Sequence, residues 1–179
     1  MIIKEVKRLR EKVTEHWSFE NPKMETKEFV KELVDAMWKN SGLGISANQL
    51  GHSYRVFAMR GATKAESIVC FNPEIKDFSP ELNTMEEGCL SLPDVFARVV
   101  RPAHVAISYR NEDGKEEGQL ASGMTARVFQ HELDHLDGIL FVDRLSKLSR
   151  ERAFEKARKI KKFRARGKEK YQIQTKFAL

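Results

Sequence analysis

In the run Gln130-His131-Glu132-Leu133-Asp134-His135-Leu136-Asp137-Gly138, two histidines stand four residues apart with a glutamate directly after the first. On a helix at 3.6 residues per turn, that spacing puts both imidazoles on one face, within reach of a single metal ion, with Glu132 carried beside them. Taken alone, the pattern also suits a helix with two surface histidines. Its flanks favour the metal: Ser122-Gly123 offers a cap, Val128, Phe129, Leu133 and Leu136 supply an apolar set, and Asp137-Gly138 stops the helix. Imidazole and carboxylate groups on a buried helix need partners, and a metal ion satisfies several at once. This is the pattern of a hydrolase's metal helix.

The 179 residues suit one domain with a single core, large enough to fold without disulfides. Two cysteines, Cys70 and Cys89, form no disulfide framework, and neither a charged-then-apolar leader nor an apolar run near 18 residues is present. Cytoplasm, no membrane association and a monomer are the expectations. The formal charge of +6 is unevenly spread. Residues 147–170 hold twelve Lys/Arg against three Glu, a local net of +9, which leaves about −3 for the remainder. A partner of opposite charge would therefore meet a basic tail and not the body.

Upstream, Ile2, Ile3, Val6 and Leu9 fit a strand or a short helix equally. From Glu25 to Asn40, Phe29, Val30, Leu33, Val34 and Met37 fall at helical spacing, and Ser41-Gly42 ends the run. Gly42-Leu43-Gly44-Ile45-Ser46-Ala47-Asn48-Gln49 is too rich in glycine for a helix interior and predicts a backbone-exposing loop or edge. Tyr54–Met59 and Ser67–Ile75 read as strands, the second ended or edged by Asn72-Pro73, and residues 76–87 read as a polar loop. His104–Arg110 alternates Val105, Ile107 and Tyr109, then turns at Asn111-Glu112-Asp113-Gly114 into Lys115–Ala121, a hairpin that delivers the chain to the metal helix. Ser149 would cap a basic helix running to about Arg166, stopped by Gly167. These elements predict an α+β fold in which the HExxH helix packs against antiparallel β-sheets, followed by a C-terminal helix.

A catalytic metal site takes three protein ligands, so the two histidines leave one to find. His16, His52 and His104 are isolated, and Cys70 lies inside an apolar strand where a small buried hydrophobe is expected. Cys89 sits in Glu86-Glu87-Gly88-Cys89-Leu90-Ser91-Leu92-Pro93, where Gly88 allows a tight bend. It reads either as another small core residue or as the third ligand.

Three blocks, Gly42–Gln49, Glu87–Ser91 and Gln130–Gly138, match in order the motifs G-x-G-x-A-A-x-Q, E-G-C-x-S and Q-H-E-x-D-H-x-x-G, and by these the chain resembles the peptide deformylases. The resemblance extends to about residue 148, which implies a catalytic domain over 1–148 with residues 149–179 as a basic C-terminal helix and tail of the same domain. It implies Cys89, His131 and His135 as metal ligands, Glu132 as general acid and base, and Gln49 with the Leu90 backbone N–H as oxyanion donors. Family enzymes remove the formyl group from the formyl-methionine of nascent chains, with metal-bound hydroxide attacking the formyl carbonyl. Fe2+ is implied in the cell, with Zn2+, Ni2+ or Co2+ in purified protein. Gly42, Leu43, Gly44 and Gly88 would receive the peptide as an added strand. Met124 and Val128, one turn apart on the face towards His131, are either walls of the methionine pocket or plain core.

Ser46 departs from the family's first alanine, and the usual Pro-Asp-Pro before Arg8-Leu9-Arg10 is replaced by Glu5-Val6-Lys7. The basic helix resembles that of bacterial members and would contact the ribosome. Two other readings use the same residues. One is a zinc peptidase built on the HExxH helix, against which Cys89 and Gln49 count. The other is a noncatalytic ribosome- or RNA-binding module relying on the tail, against which the intact Glu132 counts.

Overall fold

The computed structural model describes residues 2–166. A five-stranded antiparallel sheet runs in the order β1 (Gly44–Ser46), β2 (Val56–Met59), β3 (Ile68–Phe78), β6 (His104–Arg110), β7 (Glu116–Ser122), and a separate hairpin pairs β4 (Leu82–Cys89) with β5 (Leu92–Pro102). Among the described residues four α-helices accompany the strands: α1 (Val6–Leu9), α2 (Thr26–Lys39), α3 (Gly123–Leu136) and α4 (Lys147–Ala165).

The large sheet is covered on both sides, which explains why all four residues of β2 are buried. Val56 and Ala58 face α2, meeting Phe29, Leu33 and Met37 in one core, while Phe57 and Met59 face α3 and meet Val128, Phe129 and Leu136 in a second. The rings of Phe57 and Phe129 cross edge to face at 5.0 Å. Each such fully buried side chain contributes ~1.5–3 kcal/mol relative to exposure. A third core lies between the β4–β5 hairpin and α4, where Cys89, Val95 and Val99 meet Leu140, Phe141 and Ala153. The metal helix α3 is therefore wedged between the sheet and the hairpin.

Several elements differ from the sequence reading. Asn72-Pro73 does not end β3, which continues to Phe78. Asn72 takes a left-handed φ of 51°, its side chain bonds both the N–H and the carbonyl of Trp17, and Pro73 falls where the register against β6 slips, so its missing N–H costs the ladder nothing. Residues 76–87 are not a loop: β3 ends there and β4 begins, with polar side chains on an arm whose pairing with β5 replaces a buried face. The N-terminal stretch makes only the single turn α1. Ser146, not Ser149, caps α4, its hydroxyl accepting the Ser149 N–H at 3.2 Å. Gly167 lies outside the described residues.

α3 begins after Ser122, which occupies the cap position without a side-chain bond, and stops at Asp137. Gly138 follows at φ 74°, and a Cβ there would stand 2.5 Å from the Arg10 carbonyl, so both conformation and space require glycine.

Candidate active site

His131 and His135 lie one turn apart on α3, with ring centroids 5.0 Å apart, and Cys89 enters from the end of β4. One ligand atom from each of the three lies within 4.8 Å of the others, and His135 Nε2 is 3.2 Å from Cys89 Sγ. All three residues are buried. Among the described residues this is the one such cluster of histidine, cysteine and acidic groups. His52 and His104 instead stand beside surface glutamates, Glu32 and Glu81, and Cys70 is fully buried in the sheet with its thiol pKa pushed up by burial.

Burial acts on each group towards its uncharged form. The Cys89 thiol is pushed up to about 12, the His135 imidazole is held well below its usual range, and the Glu132 carboxyl well above its own, desolvation being the leading cause each time. His131 Nε2, His135 Nδ1 and both Glu132 carboxylate oxygens find no hydrogen-bond partner in the protein. Buried polar atoms are rarely left so, and with His135 Nε2 turned to the Cys89 thiol, the free His131 Nε2 and the two Glu132 oxygens mark a place for a ligand. A thiolate with two imidazoles suits a divalent transition metal, whose charge would reverse the local pKa shifts. The residues present thus fit a metal ion.

Glu87 orients the cluster. His131 Nδ1 lies 2.9 Å from Glu87 Oε2, so a proton donated there leaves Nε2 as the lone-pair nitrogen. Glu87 also accepts from Arg101 Nε at 2.7 Å and Nη2 at 2.9 Å, and from Arg127 Nη1 at 2.8 Å. Burial alone would raise the Glu87 pKa, but bonds from Arg101 and His131 outweigh it and hold the carboxyl well below its ordinary range. Arg101 reaches on to Asp134 at 2.6 Å, which Arg144 also holds, so the ion cluster ties β4, β5 and α3 together. Glu87 and Asp134 lie inside motifs quoted above, though with no role assigned. Arg101 and Arg127 gave no sequence signal beyond Arg127 interrupting the apolar set on α3.

Gln49 sits in a short 3-10 turn after β1, buried, with its orientation fixed. Its Oε1 accepts the Ser46 N–H at 2.9 Å and the Ser46 hydroxyl at 3.1 Å, and its Nε2 points to Ser91 Oγ at 3.0 Å and Cys89 Sγ at 3.5 Å. The backbone N–H of residue 46 thus sets which end of the amide faces the cluster, and the Ser46 hydroxyl, absent from alanine, adds a second bond. Glu132 packs against β1: a Cβ on Gly44 would stand 2.4 Å from Glu132 Oε1. Gly88 lies in β4 opposite Phe96, whose ring would meet a Cβ at 2.5 Å, and the register against β5 slips between Gly88 and Cys89. Leu90, partly exposed, lies over Gly42.

Leu43, Met124 and Val128 do share a cavity, about 170 Å3, with Met59, Ile68 and Thr125. Val128 also belongs to the core below, whereas Met124 is 46% exposed. A larger polar cavity of about 280 Å3, between residues 8–15 and 48–53, contains none of the three clustered residues.

A thiol and two imidazoles converging in a buried site, a carboxylate beside them and an apolar cavity lined by residues of the same helix define the class: a metal-dependent hydrolase. The family model described as Polypeptide deformylase matches residues 2–151. The peptide deformylase of Brucella suis is 40% identical over 146 residues, covering 79% of this chain and 83% of its own. A peptide deformylase structure from Legionella pneumophila superposes with a TM-score of 0.81 at 34% identity, covering 93% of this chain and 96% of that one. One from Synechococcus elongatus, in complex with actinonin, gives 0.76 at 28% identity over 96% of this chain and 86% of that one. The chain belongs to the polypeptide deformylase family and is a metal-dependent deformylase.

Proposed function

We propose that Cys89, His131 and His135 hold the metal, that Glu132 is the general acid and base, and that Gln49 and the Leu90 N–H stabilise the oxyanion as the formyl group leaves an N-terminal formyl-methionine. The observation that carries this reading is the buried convergence of Cys89, His131 and His135, with unpartnered atoms on His131 and Glu132 beside it. A divalent metal bound there supplies Lewis acidity, lowering the pKa of a bound water from 15.7 towards ~7. Glu132, desolvated and lodged against Gly44, takes a proton from the attacking water and returns it to the leaving amine. Gln49 cannot turn its carbonyl towards the reacting carbon without losing two bonds to Ser46, so its N–H donors face the developing charge, a contribution of ~2.7–4 kcal/mol in comparable sites.

The peptide adds as a strand alongside Gly42, Leu43 and Gly44, where β1 begins at the end of the sheet, and beside Gly88, while the cavity beside Leu43, Met124 and Val128 takes the methionine side chain. Main-chain pairing tolerates any sequence after the methionine. The thiolate makes the site suited to Fe2+ in the cell and to Zn2+, Ni2+ or Co2+ in purified protein. Residues 1–148 form the catalytic part, and of 149–179 the described portion, α4, belongs to the same domain, a reading supported by the packing of Ala153 under the hairpin and by the Arg164–Asp94 ion pair at 2.9 Å, while residues 167–179 lie outside the described residues. The basic outer face of α4 contacts ribosomal RNA near emerging chains. Incubating metal-loaded protein with formyl-Met-Ala-Ser tests the main reading: stoichiometric formate and Met-Ala-Ser are expected. Cleavage after the methionine, with the formyl group retained, would instead identify a peptidase.

A further inference from the structure

We propose that Arg60 is a positioning residue that braces the substrate-receiving strand at Gly42 and Leu43, so that it governs how well longer peptides bind. The proposal rests on the reading above, in which the peptide adds to β1.

The reacting end of that peptide belongs beside Glu132, against Gly44. Past Gly44 the chain offers no exit, since Ile45, Ser46 and Ala47 are completely buried. On the other side Leu43 is partly exposed and Ser41 exposed, so the peptide leaves past Leu43 and over Gly42 towards Ser41. This is the least self-supporting part of the strand. The ladder to β2 covers only Gly44, Ile45 and Ser46, and two of the three residues from 42 to 44 are glycines, which lose the most backbone freedom on ordering.

Arg60, just after β2, extends the support outward. Its backbone N–H donates to the Leu43 carbonyl at 2.8 Å, and its Nη1 to the Gly42 carbonyl at 3.3 Å. The guanidinium lies over the Trp38 ring, 3.6 Å from the centroid, and the Trp38 indole N–H donates to Ser67 Oγ at 2.9 Å. Trp38 belongs to the last turn of α2, which closes with Ser41 N–H to the Trp38 carbonyl and Gly42 N–H to the Met37 carbonyl. Arg60 thus links the end of α2, the approach to β3 and the glycine strand, and it also borders the cavity formed by Leu43 and Met124. A strand ordered in advance spares an incoming peptide that ordering cost.

A substrate that ends at the methionine uses little of this strand, whereas one that continues must lie along it. The test measures kcat and KM for formyl-Met and formyl-Met-Ala-Ser with metal-loaded wild type, Arg60→Ala and Arg60→Lys. In Arg60→Ala the ratio of kcat/KM for the tripeptide to that for formyl-Met should fall about tenfold, as expected for one lost hydrogen bond from a charged donor, with the loss in KM. Arg60→Lys keeps a cation over Trp38 without the planar fork and should fall between, about threefold. An unchanged ratio in both variants, or a loss confined to kcat, overturns the proposal. Should Arg60→Ala fail to fold, the same ratio in Arg60→Lys decides. Wild type that releases no formate from either substrate would refute the reading of the site itself, and the bracing role with it.

Discussion

Glu87→Gln would remove one charge from the centre of the buried ion cluster while keeping the side chain's shape. Glu87 accepts from two guanidiniums and from His131 with no exposure to solvent. Glutamine replaces one acceptor oxygen with an NH2 that must face an N–H donor, and Arg127 loses its carboxylate partner while Arg101 keeps Asp134. Removing one partner of a buried pair costs ~3–5 kcal/mol, because the remaining charge stays desolvated. At ~2–4 °C per kcal/mol for a chain of this size, the melting temperature should fall by roughly 6 to 20 °C. The His131 ring also loses its fixed acceptor, and changes of this kind weaken metal affinity ~10–100-fold. Thermal unfolding with metal in the same excess for both proteins, together with chelator competition, measures both effects. A loss below about 1 kcal/mol with unchanged metal affinity would refute the account of the cluster, since only exposed ion pairs are worth so little.

Gly44→Ala should abolish most turnover while leaving the metal content intact, because the new methyl would displace the Glu132 carboxylate and none of the three donors; full activity would show that the close approach is unimportant. For α4, changing Lys156, Lys159, Lys161 and Lys162 to Gln should remove salt-sensitive cosedimentation with ribosomes without altering hydrolysis of a short formyl peptide. Equal cosedimentation at low salt would dismiss that surface. Deleting the helix is a poorer test, since its inner face covers the hairpin through Ala153.

What the sequence disclosed follows from the range of the interactions involved. The helix α3 was legible because its donors and its apolar set share one local period, and the β6–β7 hairpin because Val105, Ile107 and Tyr109 alternate up to an Asn-Glu-Asp-Gly turn. The glycine-rich run was legible as an edge by its composition, but the burial of Gly44–Gln49 and the 3-10 turn that follows β1 were not. β4 did not, because Leu82–Glu86 bury no continuous face and hold their shape by pairing with β5. The continuation of β3 past Pro73 was hidden by a bulge whose stabilising partner, Trp17, lies far away in sequence. In the site, the HExxH spacing marked His131, Glu132 and His135, and Cys89 stood out only through the motif resemblance, whereas the buried status of Arg101 and Arg127 depends on three elements meeting. Nothing local separates a guanidinium destined for the core from one destined for water.

The most direct test of the account's centre, that Glu132 carries the proton while Cys89, His131 and His135 carry the metal, is a joint measurement of metal content and formate release for Glu132→Gln. The account predicts wild-type metal stoichiometry with turnover reduced by a factor of about 10²–10⁴, the usual worth of a positioned acid and base. Turnover within a few-fold of wild type, or loss of the metal along with activity, would contradict it.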